Sequence, residues 1–216
     1  TKSHPPRVNH YPVQAGTLLE PTAATRVATW NVNRLTDPKL LAICGAFVQN
    51  KLDILVLIDT RTPKALKPYY TNQFKNALSQ DCRVIYNPAE YFTQKGSPRE
   101  LVGGTITIVG RRWAKHITDV WTDPTECGVV SSVTLKGPTR SLTVIATYWP
   151  AQKKASKGIF SLWYKVQTYL LKVKSRLSPM DFIRELIDQR MLKALQREEA
   201  TTVTLVDDFN GGWNGK

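Results

Sequence analysis

Residues 54–58 read Ile-Leu-Val-Leu-Ile, an uninterrupted apolar run with Leu52-Asp53 before it and Asp59-Thr60-Arg61 after it. A strand with one wet face alternates apolar and polar residues, so this run, read from Leu52 to Ile58, predicts a strand over 52–58 covered on both faces. Such a strand must sit inside a layered structure, which places this chain among α/β folds. The run is far shorter than the ~20 residues a membrane-spanning helix needs. Residues 1–25 carry no apolar core of the signal-peptide kind, and Thr1 rather than Met suggests a fragment or a processed chain.

The rest of the chain can be laid out around that strand. Residues 1–25 hold Pro5, Pro6, Pro12 and Pro21 among small polar groups without periodicity, and read as a flexible arm. A single domain is expected over 26–216. A strand is expected over 26–33, and a helix over 39–50, opened by Thr36-Asp37-Pro38 with Pro in the first turn. A helix over 68–80, a strand over 82–86 and a loop over 87–101 follow. Further strands are expected over 103–109, 129–135 and 141–148, separated by Gly110, Gly128, Gly137 and Pro138. Ile159, Leu162, Trp163, Val166, Leu170, Val173 and Leu177 step by three or four residues, the spacing of one apolar helix face, with Lys165, Lys172 and Lys174 off that stripe. Ser178-Pro179-Met180-Asp181 has the form of a capping box opening a second helix to about residue 199, and 201–206 reads as a last strand. Two packed sheets with outer helices fit this order.

The chain has 30 Lys and Arg against 17 Asp and Glu, a formal net charge of +13. That excess favours a polyanionic partner. Eleven basic residues stand against five acidic ones between Ala151 and Ala200, Lys153, Lys154 and Lys157 among them. Arg111, Arg112 and Lys115, with Lys95 and Arg99, form a second basic group. A solvated helix face and a phosphate-tracking face both account for such charge. With 42% hydrophobic and 22% charged residues, disorder and collagen-like repeats are excluded. Cys44, Cys82 and Cys127 lie far apart without C-x-x-C spacing, so buried reduced thiols are expected rather than a zinc ribbon.

Four expected strands end in polar residues that a hydrophobic core does not require: Trp30-Asn31, Ile58-Asp59-Thr60-Arg61, Tyr148-Trp149-Pro150 and Asp207-Asp208-Phe209-Asn210. Carboxylates and amides there suit Mg²⁺, which takes oxygen ligands and keeps waters for a phosphate to displace. Each residue has a plainer reading alone: Asp59 as a turn residue, Asn31 and Asn210 as turn formers, Tyr148 as core packing. Taken in order, each after an apolar strand, the motifs resemble those of the endonuclease/exonuclease/phosphatase superfamily, which includes exonuclease III-like apurinic endonucleases, deoxyribonuclease I and non-LTR retrotransposon endonuclease domains. The resemblance covers the chain from about Arg26 to Asn210.

This resemblance implies a four-layer α/β sandwich of two mixed sheets flanked by helices, DNase I-like. It also implies Mg²⁺ or Mn²⁺ held with the help of Asn31 and Asp59, and a phosphate contact from the Tyr148 hydroxyl. Asp208 would orient or deprotonate the attacking water, and Asn210 would donate to charge developing at phosphorus. Arg61, Arg111, Arg112, Lys153, Lys154 and Lys157 would meet nucleic acid. The expected activity is nicking of DNA by a retrotransposon-type endonuclease that leaves a 5′ phosphate, intracellular and nuclear, with a reverse transcriptase fused in the full-length protein. The alternatives are a degenerate nucleic-acid-binding domain and a phosphatase acting on a small phosphate ester. Three departures stand out: Asp59 where the superfamily has Glu, Ile58 in place of Gln, and Asp207 in place of Gly. The superfamily's S-D-H-like closing motif and last strands would lie beyond Lys216, which leads to the expectation that residues 1–216 alone are weakly active and poorly stable.

Overall fold

A computed structural model describes residues 24–92, 100–149, 161–197 and 200–208. The expected arm over 1–25 falls outside these residues except for 24 and 25. In chain order the elements are β1 (Val27–Asn31), α1 (Asp37–Gln49), β2 (Ile54–Ile58), α2 (Lys67–Ala77), β3 (Arg83–Asn87), β4 (Glu90–Phe92) and β5 (Glu100–Val102). Then come β6 (Thr105–Val109), α3 (Arg111–Ala114), β7 (Ile117–Thr122), β8 (Val130–Lys136), β9 (Arg140–Tyr148), α4 (Leu162–Lys172), α5 (Pro179–Leu195) and β10 (Ala200–Asp208). The strands form a sheet β1-β2-β6-β3, a second sheet β10-β9-β8-β7 and the hairpin β4-β5. Each four-stranded sheet is mixed: β1 runs parallel to β2 and β10 parallel to β9, while the other pairings are antiparallel.

The five apolar residues of β2 divide by parity, because successive side chains point to opposite faces. Ile54, Val56 and Ile58 join Val133, Leu135, Leu142, Val144 and Ala146 of the second sheet in a core between the sheets. Leu55 and Leu57 face the other way, against Leu40, Ile43, Phe47 and Phe74 of α1 and α2. In β9, Ile145 likewise turns outward to Val166, Leu170, Ile183 and Leu186 of α4 and α5. The result is a helix, sheet, sheet, helix sandwich, the four-layer arrangement expected.

Several boundaries and faces depart from the sequence expectation. The segment 87–101, expected as loop, contains β4 and the first two residues of β5, and β7 was not anticipated at all. β7 is the edge of its sheet, and its inward position Asp119 accepts from Arg190 at 2.9 Å and Lys193 at 3.2 Å, both on α5. A carboxylate facing inward while Val120 faces solvent reverses the usual apolar alternation, which hides the strand from a pattern search. On α4, Lys165 is buried beside Val166 on the packed side, so it does not lie off the stripe, while Val173 and Leu177 lie past the helix end and are exposed. Ser178 is the N-cap of α5: its Oγ accepts from Asp181 N–H at 3.2 Å and donates to the Asp181 carboxylate at 2.6 Å, which is the side-chain half of the expected capping box. Among the described residues no helix is long and apolar enough to cross a membrane.

Candidate active site

One end of the sandwich gathers the polar strand ends. In the parallel β1/β2 ladder Asn31 stands opposite Ile58, so Asp59 is one residue beyond it, and in the β9/β10 ladder Asp208 stands opposite Tyr148. The two sheets are aligned at this end by their own polar contacts. Thr105, opposite Ile58, brings its hydroxyl within 3.3 Å of that of Ser131, opposite Ala146. Strand β1 also packs against β10 across the interface. Asn31, Asp59, Tyr148 and the backbone of Asp208 therefore come to the same end, the carboxyl end of four strands, where α/β sheets present polar groups.

The backbone around Asp59 is held in an unusual shape. Asp59 and Arg61 have φ of 55° and 50°, left-handed values that cost a residue with a side chain about 1–2 kcal/mol each. Hydrogen bonds on both sides enforce them. Arg34 N–H donates to Asp59 O at 2.8 Å and Leu35 N–H to Thr60 O at 2.8 Å, while Thr60 and Arg61 N–H donate to Gly104 O at 3.1 Å and Gly103 O at 2.9 Å. The approach from the second sheet requires glycine: a Cβ on Gly128, with φ of 66°, would lie 2.7 Å from Gly104 N. Beneath this lies a polar anchor that the sequence pattern did not reveal. Buried Asp123 accepts from Asn87 Nδ2 at 3.0 Å, from Val129 and Val130 N–H at 2.9 and 3.1 Å, and from the backbone and hydroxyl of Thr125. Asn87 ends β3 of the first sheet, so Asp123 ties the sheets together beside the site.

The side chains of the site show a charge pairing of consequence. Arg61 Nε donates to both Asp59 oxygens at 3.1 and 3.2 Å, and Nη2 donates to Oδ2 at 2.9 Å, with the carboxylate side chain 5% exposed. Arg61, expected to meet nucleic acid, is thus committed to the expected metal ligand. Asn31 Oδ1 accepts from Asn33 N–H at 2.9 Å, an Asx-type turn, while Lys39 Nζ donates to the carbonyls of Val32, Asn33 and Arg34 and fastens that loop. The Tyr148 ring packs at the margin of both the inter-sheet and the helix-side cores, in line with a packing role for the ring itself. On β10, Val206 contacts the inter-sheet core, and Asp207 by parity faces the helix layer with both carboxylate oxygens out of solvent.

Oxygen donors of the Asn31 and Asp59 kind suit a hard cation such as Mg²⁺. An ionised carboxylate has about four acceptor sites, so Asp59 can serve Arg61 and a cation together, but the guanidinium competes for the same charge. Among the described residues no group of three or more His, Cys, Asp or Glu converges into a metal cluster.

Other expected site residues lie elsewhere. Arg111 and Arg112 follow β6 at the opposite end of the sandwich, where Arg112 Nη2 donates to Asp53 Oδ2 at 3.1 Å and Arg111 pairs with Asp81 at 3.3 Å. They do not flank Asp59, which a sequence order cannot foretell because β6 runs antiparallel to β2. Asn210, Lys153, Lys154 and Lys157 lie outside the described residues.

No protein-family description and no curated protein matches this sequence. Solved structures do match. The AP endonuclease LMAP from Leishmania major superposes with a TM-score of 0.54 and 16% identity, covering 86% of this chain and 55% of that one. The 3′ phosphatase NExo from Neisseria, bound to product DNA hairpin, superposes with a TM-score of 0.50 and 20% identity, covering 87% and 58%. The 3′-5′ exonuclease NExo from Neisseria meningitidis gives 0.50 and 20%, covering 85% and 57%. This chain spans somewhat more than half the length of these three.

Proposed function

We propose that this chain, which has the endonuclease/exonuclease/phosphatase fold, is the phosphodiester-cleaving domain of a DNA endonuclease. The observation that carries this reading is the meeting of Asn31, Asp59, Tyr148 and Asp208 at the carboxyl ends of four strands, aligned by the Thr105–Ser131 contact. The charge of +13 favours nucleic acid over a small phosphate ester as substrate. The retrotransposon type rests on the four motifs as they stand in the sequence.

In this reading Asn31 and Asp59 hold Mg²⁺ or Mn²⁺, and the bound ion supplies charge stabilisation at the leaving oxygen. Asp208 orients the attacking water and takes its proton. The Tyr148 hydroxyl and the Asn210 amide donate to the non-bridging oxygens as charge gathers there. Arg61 neutralises Asp59 until substrate phosphate offers a second acceptor.

The test is nicking of supercoiled plasmid by the chain. Metal-dependent nicking that falls by about 10²–10⁴-fold in Asp208→Ala supports the reading, since that is the usual contribution of a general base. A second reading, a domain that binds nucleic acid without cutting it, is favoured by one observation: the clasp of Arg61 on Asp59, which leaves a weakened field for a metal. Retardation of DNA without any metal-dependent nicking would favour that second reading.

A further inference from the structure

The end of the sandwich remote from Asp59 carries a groove of about 570 Å³ whose lining includes Lys75, Arg83, Arg111, Arg112 and Lys115, with Asp81 as its acidic member. Three elements supply the cations: the last turn of α2, the start of β3, and the short turn of α3 with the residue after it. The groove lies level with the start of β2, because Arg83 and Ile54 both stand opposite Val109, and Gly110 N–H donates to Asp53 O at 2.7 Å. From Asp53 to Asp59 the chain runs about 20 Å at ~3.3 Å per residue, so the groove and the candidate active site are separate places.

The two arginines of α3 are held in position. Arg112 pairs with Asp53 and lies 4.8 Å from the Trp113 ring centroid, and Arg111 pairs with Asp81. Lys75, Arg83 and Lys115 add three charges that none of the ion pairs among the described residues offsets. Exposed large apolar side chains, which a membrane surface would require for anchoring, do not line the groove. A concave strip of mixed Arg and Lys suits a chain of phosphates, with Arg forks for paired oxygens and Lys as point charges.

We infer that this groove is a second nucleic-acid binding site, which grips the phosphate backbone away from the cleaving end. The choice of nucleic acid rests on the nuclease reading; the existence of an anion site rests on the groove alone. Binding is measured by fluorescence anisotropy of labelled DNA in excess chelator, so that no cleavage enters. The full chain is compared with the Lys75→Glu/Arg83→Glu/Lys115→Glu variant across a salt series. A second, milder variant, Arg83→Gln/Lys115→Gln, keeps the test informative if charge reversal disturbs folding, which circular dichroism would report. The expected result is at least a tenfold loss of affinity in the reversed variant. The slope of log affinity against log salt should shrink by about 0.9 for each phosphate that the variant no longer neutralises. Unchanged affinity and slope in both variants overturn the inference. So does a groove-dependent loss of binding to phosphoinositide vesicles or an acidic peptide while DNA binding stays intact. Failure of the nuclease reading is seen separately, as absence of nicking once metal is restored.

Discussion

Asp59 concentrates two competing demands in a single side chain, an ion pair and the expected metal. Its carboxylate is buried, its φ is left-handed, and both of its oxygens receive hydrogen bonds from Arg61. Removing the competitor should strengthen cation binding: Arg61→Ala is expected to tighten Mn²⁺ affinity about tenfold, roughly the 1–3 kcal/mol of a charged hydrogen-bonded pair, as read by calorimetric titration. Unchanged or weaker affinity would mean that Asp59 is not a metal ligand. Asp123 makes a contrasting case. Its carboxylate receives donors from three backbone amides, the Thr125 hydroxyl and Asn87, so Asp123→Asn would set an NH₂ group against N–H donors and should cost about 3 kcal/mol in urea denaturation. Asn31, Asp59 and Tyr148 were legible because polar residues followed apolar strands. Asp123 was not, since its partner Asn87 lies 36 residues earlier and nothing local marks the pairing.

Among elements, those buried on both faces were the readable ones. β2, β6 and β9 are almost entirely buried, and each was expected within a few residues of where it lies. β7 escaped because its inward carboxylate answers α5 rather than the sheet, and β4-β5 because three-residue strands give too little pattern to count. The glycine turn that joins the sheets beneath the site is the most sensitive element. Gly128→Ala must relieve a 2.7 Å approach to Gly104 N at a φ of 66°, and is expected to lower stability by about 2–4 kcal/mol, measurable as a fall in Tm. The α5 cap gives a smaller effect: Ser178→Ala removes the acceptor for Asp181 N–H and should cost about 1 kcal/mol.

At the scale of the molecule, the candidate catalytic carboxylates and the basic groove occupy different ends of the sandwich. Asp59 follows β2 and Asp207 and Asp208 close β10, while Lys75, Arg83, Arg111, Arg112 and Lys115 line the far groove. The sequence located the basic groups but not their separation, which depends on strand direction. The buried thiols and phenol weaken the fold at alkaline pH. Burial pushes the Cys44 thiol from 9.0 to about 11 and the Tyr86 phenol from 10.0 to about 12, and raises Cys82 as well. The folded state keeps protons that the unfolded chain releases, so their contribution is whole below pH 9 and is lost as pH rises through about 11 and 12. Thermal melts should show Tm steady from neutral pH to about 9 and falling above it, less steeply in Cys44→Ala at equal starting stability.

The proposed hydrolysis of a phosphodiester by water attack at the gathered strand ends would leave a chemical signature on the product. The most direct measurement is therefore the chemistry of the ends left on nicked plasmid. The expected nicks carry a 5′ phosphate and a 3′ hydroxyl, are resealed by DNA ligase alone, and are absent with Asp208→Ala. Nicks that ligase cannot reseal, or that persist at full rate in Asp208→Ala, would contradict water attack at this site with the 3′ oxygen as leaving group.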